Sequence, residues 1–187
     1  MNLAPVPPAC VSCGSQSVVA VGEIPPAIRF AGRKLNSLLD GGVLFECDVC
    51  GLSFRFPRPS KVELDELYRK GVSENWQAST ANRRDWHIAS KWLSEYLKPK
   101  AKILDVGCFD GGFLLDTNPE FRRFGIEIHE AAAEKARSRD ISIVGKNFED
   151  MRTADAPFDA VLAFDVIEHT EDPRAFLSAL ASVTREN

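Results

Sequence analysis

A basic excess is missing from this sequence. Lys and Arg number 23 against 27 Asp and Glu, giving a net charge of -4. That balance argues against a general nucleic-acid or membrane-surface binder. Long apolar runs are missing too, since none approaches the ~20 residues a membrane span needs. The start, MNLAPVPPAC, has no basic region followed by an apolar one, so no secretory signal is expected and the cytoplasm is the expected location. Nor does any stretch pair a nucleophile with a base, so the sequence points away from covalent catalysis.

What is present starts with cysteine. Cys10, Cys13, Cys47 and Cys50 form two CxxC pairs, CVSCG and CDVCG, each followed by a glycine that permits a tight knuckle. Four thiolates match the closed tetrahedral site of structural zinc, whereas redox chemistry would need only one pair. The 33 residues between the pairs leave room for strands near Ser17–Val21 and Val43–Glu46 and an excursion around Pro25–Asp40. Residues 1–60 carry five basic side chains (Arg29, Arg33, Lys34, Arg55, Arg58) and four acidic ones (Glu23, Asp40, Glu46, Asp48), about +1 before a metal is counted. A nucleic-acid footprint needs more, so an accessory zinc-ribbon-like domain over 1–59 is expected, with no nucleic-acid partner.

Phe54 to Ser60, FRFPRPS, reads as a boundary, because Pro57 and Pro59 favour extended chain. Ser60 and Glu63 have the spacing of a capping box, starting an amphipathic helix to about Lys70. Gly71–Thr80 is expected as a connector. A longer helix follows over about Ala81–Leu97, with Trp86, Ala89, Trp92, Leu93, Tyr96 and Leu97 as its apolar, core-facing side. Residues 60–100 therefore read as a helical linker. His87 reads as a surface or cap residue.

From Lys102 strands and helices alternate: strands at Lys102–Val106, Arg123–Ile128, Ile141–Val144 and Asp159–Phe164, and helices at 112–117, 130–138 and 173–183. A helical turn is expected near Phe148–Met151. Such alternation predicts an α/β fold with a doubly wound parallel sheet over 101–187. Ligands of such sheets sit at the carboxyl ends of the strands. The first strand ends in Asp105 and a loop holding Gly107, Gly111 and Gly112. The dinucleotide fingerprint G-x-G-x-x-G is not met, and Asp105 would repel phosphate. Glu127, 22 residues after Asp105, ends strand two where an acid accepts from a ribose diol. The amide of Asn147 can pair with an adenine edge between Ile128 and Phe148, although Asn147 also suits a loop cap. An adenosine with an amino-acid tail, S-adenosylmethionine rather than NAD, fits this set.

LDVGCFDGGF, GIEIHEAAAEKAR, GKNFED and FDAVLAFDVIEH together resemble the class I S-adenosylmethionine-dependent methyltransferases. CVSCG and FECDVCGLSFRFPRP resemble the zinc-binding segment that precedes this domain in bacterial enzymes of polysaccharide and sugar modification. The resemblance implies a Rossmann-like sheet. It also implies cofactor contacts at Asp105, Gly107, Cys108, Gly111, Glu127, Asn147, the backbone of Phe148, and Asp165. The middle glycine of the family's loop is Phe109 here. The family's strand order, 3-2-1-4-5-7-6, would be represented only by 3-2-1-4, so a C-terminally truncated domain with an apolar edge at strand four is expected.

Asp165, Glu168 and His169 form D-x-x-E-H after strand four. They can bind a divalent ion or cap the next helix and shape the acceptor pocket. His169 can also take an acceptor proton as the catalytic base. Methyl transfer to a small-molecule acceptor, a sugar or sugar nucleotide by resemblance, is the expected function. The alternative is a non-catalytic zinc-ribbon binding module with a degenerate methyltransferase half.

Overall fold

Two patterns of apolar spacing, one on each side of residue 70, build two separate bodies. In the computed structural model, residues 8–30, 33–69, 83–148, 156–170 and 172–186 are described. The chain divides into two compact units, Met1–Val72 with Thr170–Arg174, and Ser73–His169 with Ala175–Asn187.

In the first unit, β1 (Val18–Ile24), β4 (Gly42–Cys47) and β5 (Ser53–Phe56) form an antiparallel sheet in the order β1-β4-β5. Phe45 and Phe54 stand opposite one another across β4 and β5 and stack at 6.1 Å. With Cys10 and Cys47 they make this unit's small core. The excursion expected around Pro25–Asp40 is a hairpin, β2 (Ala27–Phe30) and β3 (Arg33–Leu39), in a sheet of its own. Helix α1 (Lys61–Arg69) starts on the expected capping box: Glu63 Oε2 accepts from the Ser60 N–H and hydroxyl, both at 2.8 Å.

The second unit opens with α2 (Arg84–Tyr96). The connector expected over Gly71–Thr80 and the start of this helix at 81–82 lie outside the described residues. Trp86, Ala89, Leu93 and Leu97 pack on the core, but Trp92 and Tyr96 are 61% and 75% exposed, against expectation. At 100° per residue, 86, 89, 93 and 97 share a stripe roughly 80° wide, and 96 and 92 fall roughly 60° and 100° from its centre, on the Ala89 side.

The parallel sheet follows the expected order. Its strands are β6 (Lys102–Val106), β7 (Arg122–Ile126), β8 (Ser142–Gly145) and β9 (Ala160–Leu162), arranged β8-β7-β6-β9. These are strands 3-2-1-4 of the expected topology, with β9 at the edge. It is shorter than the expected Asp159–Phe164. Asp159 pairs with Lys102 through its N–H, given to the Lys102 carbonyl at 2.8 Å, and its carboxylate, which accepts the Lys102 N–H at 2.7 Å, and Asp165 turns into the left-handed region at φ 54°. Side chains of β6 alternate between two cores. Ile103 joins Phe113, Leu114 and Leu93 on one face, while Leu104 and Val106 join Phe124, Ile126 and Phe158 on the other. Helices α3 (Gly112–Leu115), α4 (Glu130–Arg137) and α5 (Pro173–Val183) complete the unit. Most of the turn expected near Phe148–Met151 lies outside the described residues. No helix among the described residues is long and apolar enough to cross a membrane.

Candidate functional site

Asp105 lies at the penultimate position of the central strand, in register with Gly125 of β7 and Leu162 of β9. It is 3% exposed, and its Oδ1 is buried without a hydrogen-bond partner. Burial first, and then the charge of Glu127, push its carboxyl up to about 8, against the pull of Arg83. A buried carboxylate without a donor is costly, so this group is suited to a ligand that brings a donor or a positive charge.

The loop after β6 takes the left-handed backbone at alternate residues: Gly107 at φ 79°, Phe109 at φ 50° and Gly111 at φ 80°. Its amides fold back on β7, with Gly107 and Cys108 N–H both donating to the Ile126 carbonyl. A Cβ at Gly111 would stand 2.0 Å from Ile141 Cδ1, and one at Gly107 would stand 2.7 Å from Val166 Cγ2. The two outer glycines are thus favoured by conformation, and a side chain at either would also displace a neighbouring side-chain methyl. Phe109 holds the same conformation at the cost of strain, of order 1–2 kcal/mol. The next residue, Asp110, ties the loop to α4 through Lys135 at 2.7 Å and Arg139 at 3.1 Å. Its burial acts the other way, yet these cations hold its carboxyl below the usual range.

Glu127 follows β7 directly. Oε2 accepts from the Phe109 N–H at 2.8 Å and Oε1 from the His129 N–H at 2.7 Å. Burial raises its carboxyl above the usual range, with these two amides pulling the other way. A carboxylate has about four lone-pair sites, more than the backbone amides of Phe109, Ile128 and His129 fill, so acceptor capacity remains. Ile128 next to it is half-buried, as are Asn147 and Phe148 after β8. Phe148 packs on the core with Val144. Cys108 is buried, and a Cβ at Gly125 would stand only 2.4 Å from its Sγ. Burial, with Asp105 and Glu127 beside it, pushes this thiol far up. It is a packed thiol, not a nucleophile.

Sequence reading missed Arg83. It stands at the N-cap of α2, forks onto Asp85 at 2.5 and 3.2 Å, and lies 5.2 Å over the Trp86 ring. Its Nη1 reaches Asp165 Oδ2 at 2.7 Å across 82 residues of sequence. Trp86 in turn packs on Phe113 and Phe164. No local motif signals this arginine, because its partner is supplied by the loop after β9.

Asp105, Gly107, Cys108, Gly111, Glu127, Ile128, Asn147, Phe148 and Asp165 all follow or end adjacent parallel strands, so the sheet brings them to one edge. His169 closes a 3-10 turn, Ile167–His169, with Glu168 at 4.0 Å. Burial lowers its imidazole below the usual value, against Glu168 and Asp165. Among the described residues, the donors that converge as a metal-binding group are the four cysteines. Asp165, Glu168 and His169 are not among them.

A methyltransferase-domain family model matches residues 78–187. The chain belongs to that methyltransferase-domain family. No curated protein matches it. Among solved structures, the methyltransferase domain's fold is similar to magnesium protoporphyrin IX methyltransferase from Synechocystis PCC 6803, solved with bound SAH. The identity is 15% and the TM-score 0.52, over 67% of this chain and 68% of that one. CalS10, an amino pentose methyltransferase from Micromonospora echinaspora solved with bound SAM, is also similar, at 20% identity and TM-score 0.49 over 60% of this chain. The methyltransferase chain described here spans about half, 51%, of that protein.

In the first unit, the Sγ atoms of Cys10, Cys13, Cys47 and Cys50 lie within 4.8 Å of one another. Cys10–Cys50 and Cys13–Cys47 are 3.7 and 3.5 Å apart. Four sulfurs about 2.3 Å from a tetrahedral zinc stand about 3.8 Å apart, so the donor set fits one ion. Each knuckle closes as expected: Gly14 N–H donates to Cys10 O and Gly51 N–H to Cys47 O, both at 2.9 Å, with both glycines left-handed.

Proposed function

We propose that this chain binds S-adenosylmethionine at the carboxyl edge of its parallel sheet and transfers the methyl group to a small-molecule acceptor. The acceptor class we favour is a sugar or sugar nucleotide, on the motif resemblance noted above. The single observation that carries the cofactor assignment is the pairing of a buried, partnerless Asp105 with a Glu127 that pins the glycine loop and keeps acceptor positions open. Asp105 offers its oxygen to the ammonium of an amino-acid tail, and Glu127 to the ribose diol. Asn147 and the Phe148 backbone face the adenine edge, and Ile128 lies against its ring. Gly107, Cys108 and Gly111 let the backbone approach.

Arg83 supplies the cation for the tail's carboxylate. It is pre-oriented by Asp85 and Trp86, and Asp165 holds its remaining donor until the ligand exchanges for it. The cofactor supplies a methyl group on a sulfonium. Reaction then depends mostly on orientation, worth several kcal/mol, with His169 placed to accept an acceptor proton. The four cysteines hold a structural zinc ion, and reduced CxxC pairs fit a cytoplasmic protein.

Calorimetry with S-adenosylhomocysteine and with NAD tests the cofactor reading. Binding of the first and not of the second is expected. No binding of S-adenosylhomocysteine by a chain shown to be folded defeats it and favours a non-catalytic binding module. Metal analysis is expected to return one zinc per chain, and none would remove the ribbon assignment.

A further inference from the structure

Four of the five basic side chains in residues 1–60 line one cavity. It has a volume of about 480 Å³ and lies in the first unit, against β3, β5, the proline segment and α1. The four are Arg33, Lys34, Arg55 and Arg58, and Arg29 is the fifth. The net charge of this segment, near +1, hides that clustering. Of its four acids, three (Glu23, Glu46, Asp48) do not line the cavity.

We propose that this cavity binds a nucleoside diphosphate, the activating group of a sugar nucleotide. The proposal rests on the small-molecule methyltransferase reading above.

The lining has the three kinds of surface such a ligand needs. Cations suit the phosphates, since guanidinium groups match phosphate oxygens in a fork. Arg55 gives Nη2 to the carbonyls of Asp40 and Gly41. Those acceptors are neutral and fix its position, and Arg58 likewise gives its Nη2 to the Thr170 carbonyl. The acids that do line the cavity are Asp40, Glu63 and Glu66. Glu63 is committed to the Ser60 cap, which holds its carboxyl below the usual range. Phe30, Leu35 and Leu39 bring apolar groups that suit a flat ring, and Ser37, on the same strand face as Leu35 and Leu39, offers a hydroxyl. A bare anion would not need the apolar groups, and a purely apolar ligand would not need the cations. The volume falls within the ~300–1,000 Å³ of small-molecule sites.

The frame is fixed before a ligand arrives. A Cβ at Gly41 would meet Ile24 O at 2.4 Å, and one at Gly42 would meet Phe56 O at 2.8 Å, so the backbone beneath Arg55 is closely packed.

The test is calorimetry on the full zinc-loaded chain with UDP, dTDP, GDP and inorganic diphosphate. Two variants accompany it, Lys34→Glu at an exposed strand residue, and Ser37→Trp, on the strand face of Leu35 and Leu39, which narrows the cavity without changing charge. At least one nucleotide is expected to bind in preference to inorganic diphosphate. Each variant should weaken it about tenfold or more, the size of one charge-assisted contact, with zinc content and S-adenosylhomocysteine affinity unchanged. Failure of all three nucleotides to bind at millimolar concentration overturns the proposal. So does unaltered affinity in both variants, or equal binding of inorganic diphosphate. Nucleotide binding that persists when S-adenosylhomocysteine fails to bind supports the cavity assignment and defeats the methyl-transfer reading.

Discussion

The backbone N–H of Phe109 donates to Oε2 of Glu127 at 2.8 Å. The residue that replaces the family's middle glycine is therefore held by the acid assigned to the ribose. One side chain shapes the loop and, in the proposed reading, also takes the ribose. Glu127→Gln puts an NH2 group against a backbone N–H, which costs about 1–3 kcal/mol. Thermal unfolding should fall, and S-adenosylhomocysteine affinity should drop about tenfold or more. Phe109→Gly, which relieves the φ of 50°, should instead tighten binding, as calorimetry can read.

Asp105 sets a pH dependence. Its folded-state value, about 8, stands above the ordinary 3.8, so the ligand-free folded protein binds the extra proton. Its contribution to stability is fully present below about pH 4 and is lost as pH rises through about 8, with a slope of about 1.4 kcal/mol per unit between them. Asp105→Asn should remove that slope, and urea unfolding at pH 5, 6, 7 and 8 measures it. The same variant should lose S-adenosylmethionine affinity.

Arg83 is assigned the carboxylate of the amino-acid tail. Arg83→Ala should weaken S-adenosylhomocysteine about tenfold or more and leave 5′-methylthioadenosine, which has no such tail, unchanged. Equal losses for both ligands in calorimetry would assign Arg83 to packing over Trp86 alone.

Gly125 makes room for Cys108. Gly125→Ala places a methyl 2.4 Å from the buried Sγ and should destabilise by about 1–3 kcal/mol. Cys108→Ala in the same chain should restore much of that loss. A double-mutant cycle on unfolding free energy reads the coupling, and additive effects would refute the contact.

The sequence by itself determined what depends on neighbours along the chain. Strand-helix alternation, the capping box of Ser60 and Glu63 and the two cysteine knuckles follow from local spacing and glycine placement, whereas the order of the four parallel strands came from the family resemblance. It also put Asp105, Glu127 and Asn147 at strand ends, because parallel topology brings every strand's end to one edge. Tertiary structure alone decided what depends on distant partners. Trp92 and Tyr96 look like core by composition, but the side α2 turns to the sheet leaves them exposed. Arg83 meets Asp165 only because α2 starts near the loop after β9. The four cations of the first unit become a cavity only when a hairpin, a strand and a helix close around them. Local propensity fixes elements over a few residues, whereas these contacts are set by packing between elements far apart in sequence.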